Sequence, residues 1–177
     1  MLDKLKIALV LLLIGAVSGF LIFTTNDLTK DGIAEKRRLQ EIGYYLEIYN
    51  FEEGTNIGFS EHELDGVLTS EIEITDESGV LLGYIYKGEE TNNYGTITVL
   101  VGVNLDGTIA KVVIASSTNT PTFVKKIENN YLDPFVAQPT SDVQYDERTG
   151  ASYTYGSVSK FVREASSYYQ TNRGDES

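Results

Sequence analysis

Hydrophobic and polar positions change their rhythm three times along this chain. From Ile7 to Phe23 the sequence reads IALVLLLIGAVSGFLIF, an uncharged apolar run. As a helix rising about 1.5 Å per residue it would be roughly 26 Å long, enough to cross the hydrocarbon core of a membrane. Between Asn26 and Asn50, apolar residues such as Leu39, Ile42, Leu46 and Tyr49 recur partly at helical spacing among charged ones, which predicts an amphipathic helix. Glu52 to Asp65 is acidic, contains Gly54 and Gly58, and reads as loop.

From Thr69 the period falls to two and β-branched and aromatic residues take over. SEIEIT, VLLGYIYKG, GTITVLVGVN and TIAKVVIAS predict four strands. Asp76-Glu77-Ser78-Gly79, Glu89 to Tyr94 and Asn104-Leu105-Asp106-Gly107 separate them with hairpin turn chemistry. Gly95 to Val103 is almost continuously apolar or threonine, as a strand covered on both faces would be. A short helix is expected from Phe123 to Tyr131, stopped before Asp133-Pro134 because a residue preceding proline is pushed out of the helical region. Val158, Phe161, Val162, Ala165 and Tyr168 recur at helical spacing and predict a closing helix with Lys160, Arg163 and Glu164 in water. A polar tail, Gln170 to Ser177, is expected to fray. The fold class is therefore α+β, an antiparallel β-meander packed with helices and preceded by one transmembrane helix. Its expected parts are an anchor over 1–25, a membrane-proximal helix and acidic loop over 26–68, the main domain over 69–170 and a tail over 171–177.

Charge and composition narrow the partners. Residues 31–177 hold 11 Lys plus Arg against 24 Asp plus Glu, so this part carries 11 − 24 = −13. Nucleic acid needs a basic footprint and is excluded on that ground. The chain has no cysteine, which excludes disulfides, thiolate zinc sites, iron–sulfur clusters and redox thiols. Any electron chemistry has to come from an organic cofactor. The single histidine, His62, lies in Glu61-His62-Glu63 without a second histidine at helical spacing, so a solvated loop or helix start is expected and no metal site. The apolar run is longer than the core of a usual signal peptide and no small-x-small cleavage site follows it, so a retained anchor is expected. Lys4 and Lys6 on one flank are balanced by Lys30, Lys36, Arg37 and Arg38 on the other, so charge alone does not orient it.

The stretch Asp146-Glu147-Arg148-Thr149-Gly150-Ala151-Ser152-Tyr153-Thr154 stands just before the closing helix. A turn of small and hydroxylated residues entering a helix meets unpaired amides and the positive end of the dipole, a setting that favours phosphate. Gly150 permits close approach of backbone, and Ser152 is either an N-cap oxygen or a covalent acceptor.

These residues resemble the FMN-binding domain family, found in the Rnf electron-transport complex as its G component and in the sodium-pumping NADH:quinone reductase as its C component. The family pattern D-x-x-(S/T)-G-A-(T/S), often followed by x-T-S-x-A-V, is matched by Asp146, Thr149, Gly150, Ala151 and Ser152, then by Thr154 and Val158. Serine replaces the usual threonine acceptor, and Tyr155-Gly156-Ser157 replaces the common Ser-x-Ala. Upstream, Ser117-Thr118-Asn119-Thr120-Pro121-Thr122-Phe123 is similar to the family's H-x-E-T-P-G-L; Asn119 stands for its glutamate and Phe123 for its leucine, and Lys126 matches a lysine. By itself Thr120-Pro121 would be an ordinary loop.

The resemblance implies FMN esterified through its phosphate to Ser152, by a flavin transferase that recognises Asp146 and transfers FMN from FAD. It implies cofactor contacts from Thr149, Gly150, Ala151, Asn119, Thr120, Pro121, Phe123 and Lys126, and an electron carrier with no catalytic side chain of its own. It further implies a single-pass protein of the cell membrane with its C-terminal domain extracytoplasmic, working with other membrane electron-transport subunits. A stand-alone flavoprotein with extracellular redox partners, or an anchored binding module without flavin, are the alternatives.

Overall fold

The computed structural model describes residues 2–52, 54–145 and 150–174, without the side chains of residues 2, 3, 5, 26–31, 33 and 34. The chain divides into two compact units, Met1–Ile42 and Gly43–Ser177. One helix, α1 (Leu2–Ile48), runs through the boundary. The anchor and the amphipathic helix expected after it are thus a single element, because no proline interrupts the sequence between them.

In the first unit, Lys6–Thr25 is long and apolar enough to cross a membrane. Its large side chains, from Ile7 to Phe23, are exposed. A helix that is apolar all round and bare of protein contacts is suited to lipid.

The second unit is built on a five-stranded antiparallel sheet in the order β1-β2-β3-β4-β5. The strands are β1 (Gly58–Glu63), β2 (Leu68–Thr75), β3 (Leu81–Asn92), β4 (Gly95–Asn104) and β5 (Ile109–Ser117). The α+β meander expected from periodicity is borne out, with one strand more than expected. β1 forms inside the segment read as loop, and its six residues are all exposed. His62 lies on this edge strand paired opposite Glu71, not in a loop. β4 alternates into both layers and is buried from Ile97 to Val103, which accounts for its unbroken apolar run.

Each face of the sheet receives a helix. On one face the last turn of α1 supplies Tyr45 and Ile48, which pack on Ile72, Ile74, Ile85 and Leu100. Tyr49 completes this layer by donating its hydroxyl to the carbonyls of Tyr84 and Val103, at 3.1 and 3.0 Å. The other face carries α2 (Pro121–Asn130), the short 3-10 turn η1 (Asp133–Phe135) and α3 (Ser152–Asn172). There Val158, Phe161, Val162 and Ala165 are fully buried, against Tyr86, Val99 and Val101 among others. Truncating one such aromatic to alanine typically costs about 3–5 kcal/mol, so α3 is held chiefly by this stripe. Tyr169 is buried deeper than Tyr168, which is half-buried, so the stripe drifts by one position at its end, as a 3.6-residue period requires.

Of the tail expected to fray, Gln170 to Asn172 are helical, and residues 175–177 lie outside the described residues. α3 continues to Asn172, and Arg173 donates to buried Glu71 from Nε at 3.3 Å and Nη2 at 3.1 Å. Its guanidinium also reaches Glu73 and lies 4.8 Å from the centre of the Tyr84 ring. Tyr86 donates to the same Glu71 at 3.1 Å. Burial pushes its phenol pKa well up, with the Glu71 charge adding to the effect.

Candidate flavin site

Three segments distant in sequence meet at the first turn of α3. One is the β3–β4 turn, in which Gly95 takes φ +132°. A Cβ there would lie 2.4 Å from Thr118 Oγ1, so only glycine lets the second segment, the loop after β5, come this close. Thr96 N–H donates to Thr118 Oγ1, and Thr118 N–H donates to the Thr96 carbonyl, each at 2.8 Å. The third segment is α3 itself.

Ala151 is the N-cap of α3 and Ser152 its first residue, and no described side chain caps the terminus. The capping role weighed for Ser152 is therefore not the one it plays. Its side chain is exposed. The first amides of a helix have no partner within it, and the dipole makes that end positive. Gly150, immediately before, takes φ +68°, a left-handed backbone that favours glycine. The Lys126 ammonium from α2 sits 3.0 Å from where a Cβ of Gly150 would be. A cation and the start of a helix thus flank an exposed hydroxyl.

Behind this entrance Asn119 is 2 % exposed. Its Nδ2 donates to Oγ1 of buried Thr154 at 3.1 Å, while its Oδ1 has no hydrogen-bond partner among the described residues. A buried acceptor left unpaired costs on the order of 1–3 kcal/mol. Thr120 and Pro121 open α2 as N-cap and first residue, both exposed or nearly so at their surface turn, and Phe123 is half-buried against Tyr94. Of the residues expected here, Gly150, Ala151, Ser152, Asn119, Thr120, Pro121, Phe123 and Lys126 all belong to α2, α3 or the segments leading into them. Asp146 and Thr149 lie outside the described residues. Among the described residues no cluster of metal-ligating side chains occurs.

Sequence reasoning missed Asn92, Tyr94, Tyr153 and Ser157, which the fold brings to the same place. Tyr94 and Tyr153 meet edge to face with ring centres 5.4 Å apart. Asn92-Asn93-Tyr94-Gly95 carried a turn signal, but nothing in it pointed to the start of a helix so much later in the chain. Nearby, Glu90 pairs with Lys160. Partial burial pushes the Glu90 carboxyl pKa up, but hydrogen bonds from Lys160 and Ser157 and the Lys160 charge outweigh this and hold it below its ordinary value.

Residues 93–167 match the family model of the FMN-binding domain, a span that runs from the β3–β4 turn into α3 and contains the whole site except Asn92. The chain is also 25 % identical to the G component of the ion-translocating oxidoreductase complex of Aliivibrio fischeri, over an alignment covering 95 % of this chain and 91 % of that protein. The resemblance read from the motifs is thereby borne out.

Proposed function

We propose that this protein is a membrane-anchored electron carrier with FMN joined by a phosphoester to Ser152 Oγ. The reading rests on one observation: an exposed serine hydroxyl stands in the first turn of α3, inside the segment that matches the FMN-binding domain. Attachment needs only group transfer. Ser152 Oγ attacks the FMN phosphorus of FAD, the pyrophosphate bond breaks, AMP leaves, and the serine proton passes to the flavin transferase or solvent. No electrons change hands in that step.

Bound flavin supplies reversible one- and two-electron chemistry, and the polypeptide supplies placement and electrostatics. Lys126 and the α3 dipole offset the charge of the phosphodiester. The Asn119 Oδ1 acceptor takes a hydroxyl of the tail, with Asn119 itself fixed by Thr154. Phe123 and the neighbouring aromatic rings limit water around the ring system. A covalent tether keeps the flavin at high local concentration outside the cytoplasm, where a dissociated one would be lost. Near-complete coverage of the Aliivibrio protein favours membership of an Rnf/Nqr-like complex over a free-standing role, with Lys6–Thr25 as a single-pass anchor and the second unit extracytoplasmic.

The test is mass spectrometry of the full chain co-expressed with a flavin transferase. We expect an FMN-sized adduct on the Ser152 peptide that is absent in Ser152→Ala, while the flavin-free forms of both proteins unfold at the same temperature. An unmodified Ser152, with the transferase active on a control substrate, would overturn the reading.

A further inference from the structure

Tyr94 and Tyr153 are held together by two side chains, Asn92 and Ser157, that match neither motif of the FMN-binding domain. Asn92 Oδ1 accepts from Tyr94 N–H at 2.9 Å. The other end of the same amide, Nδ2, donates to Ser157 Oγ at 3.0 Å. Ser157 is buried in α3, and its one hydroxyl proton is shared between the Tyr153 carbonyl, at 3.2 Å, and the Glu90 carboxylate. One asparagine and one serine thus clasp the turn that carries Tyr94 to the helix start that carries Tyr153. The family pattern commonly has alanine where Ser157 stands, so the clasp is a feature of this chain.

The rings it places are largely in water. Tyr153 is 51 % and Tyr94 44 % exposed, and Phe123 extends the cluster with its ring 5.7 Å from Tyr94. Such a grouping leaves apolar ring surface unburied beside the proposed attachment point, which a planar ligand would cover. Ser152 is the residue immediately before Tyr153, so a flavin fixed there brings its ring system into reach of this pair.

We propose that Tyr94 and Tyr153 form the seat of the isoalloxazine ring and that Asn92 and Ser157 are positioning residues that set it. The inference rests on the FMN reading above. Phenol rings are electron-rich and stabilise the electron-poor oxidised flavin over the reduced one, which lowers its midpoint potential. On illumination a stacked phenol gives one electron to the excited flavin and recovers it, so the flavin returns dark and nothing is consumed.

The experiment measures fluorescence, visible circular dichroism and midpoint potential of the flavin-loaded full chain. Weak fluorescence is expected from the unsubstituted protein. Tyr153→Leu and Tyr94→Leu should each raise it about fivefold, the ratio one ordinary aromatic contact supports, and move the potential in the positive direction. Ser157→Ala and Asn92→Ala keep both rings but loosen them, and should raise fluorescence about twofold, as loss of one hydrogen bond allows. Tyr153→Trp should keep the flavin dark, which a purely structural role for Tyr153 would not require. Flavin attached to Ser152 but equally fluorescent, with the same potential, in all of these proteins would overturn the inference alone. Absence of flavin from Ser152 in the unsubstituted chain would overturn it together with the reading beneath it.

Discussion

The two ends of α3 use polar side chains in opposite ways. At the C-terminal end Glu71, Arg173, Glu73 and the Tyr86 hydroxyl bond to one another and the Tyr84 ring covers the guanidinium, so the cluster is closed. At the N-terminal end Ser152 is exposed, no described side chain caps the helix, and Asn119 Oδ1 is buried without a partner among the described residues. A fold that surrounds a buried carboxylate with an arginine and a phenol is able to satisfy its polar groups. At the other end the groups without a described partner stand beside the exposed Ser152 hydroxyl, while a second buried orphan, Ser166 Oγ, lies further along α3.

Four substitutions would break or sharpen this contrast. Arg173→Ala leaves the Glu71 side chain, 4 % exposed, short of its main partner, and should cost about 3 kcal/mol in chemical denaturation with no loss of flavin on Ser152. An equal loss of flavinylation would mean the two ends are not separable. Asn119→Leu removes one hydrogen bond but also the orphaned acceptor, so the flavin-free protein should change by no more than about 1 kcal/mol. Its effect should appear after loading, as a smaller rise in melting temperature on flavin attachment than the unsubstituted protein shows.

Glu90→Gln tests the ion pair beside the site. The Glu90 carboxyl titrates below its ordinary value of 4.5, so its contribution is fully present above that pH and disappears as pH falls through the lower folded value. The variant should be less stable at neutral pH by under about 1 kcal/mol, and the difference should vanish in acid. A gap that persists at low pH would show that packing, not charge, is involved. Smallest of all, Ser152→Ala should leave stability within about 0.5 kcal/mol, measured by thermal unfolding, because an exposed, non-capping hydroxyl holds nothing in place.

What the sequence made legible follows from burial. α2 and α3 each turn one face to a core and β2 to β5 pack into cores on both faces, so their apolar residues mark them in the sequence. β1 was invisible because all six of its side chains are exposed and it exists through its pairing with β2. The Arg173 clamp was hidden because its partners Glu71 and Glu73 lie 102 and 100 residues earlier. Ser152 and the Asn119 to Lys126 stretch were found through a local pattern read in order. Asn92, Tyr94, Tyr153 and Ser157 become a group only when the β3–β4 turn folds against α3, and no local spacing announces that.

Gly88 gives the sheet a notch on the α3 side. A Cβ at this position would fall 2.1 Å from Phe161 Cδ1, so the phenyl ring drops into the space where every other residue has a side chain. It acts as a detent that stops α3 from sliding along the strands. Ser152 is nine residues before Phe161, roughly 14 Å along the helix axis, with no hold of its own on the sheet. The address of the proposed flavin tether is thus dialled in from two and a half turns away, by one missing methyl group.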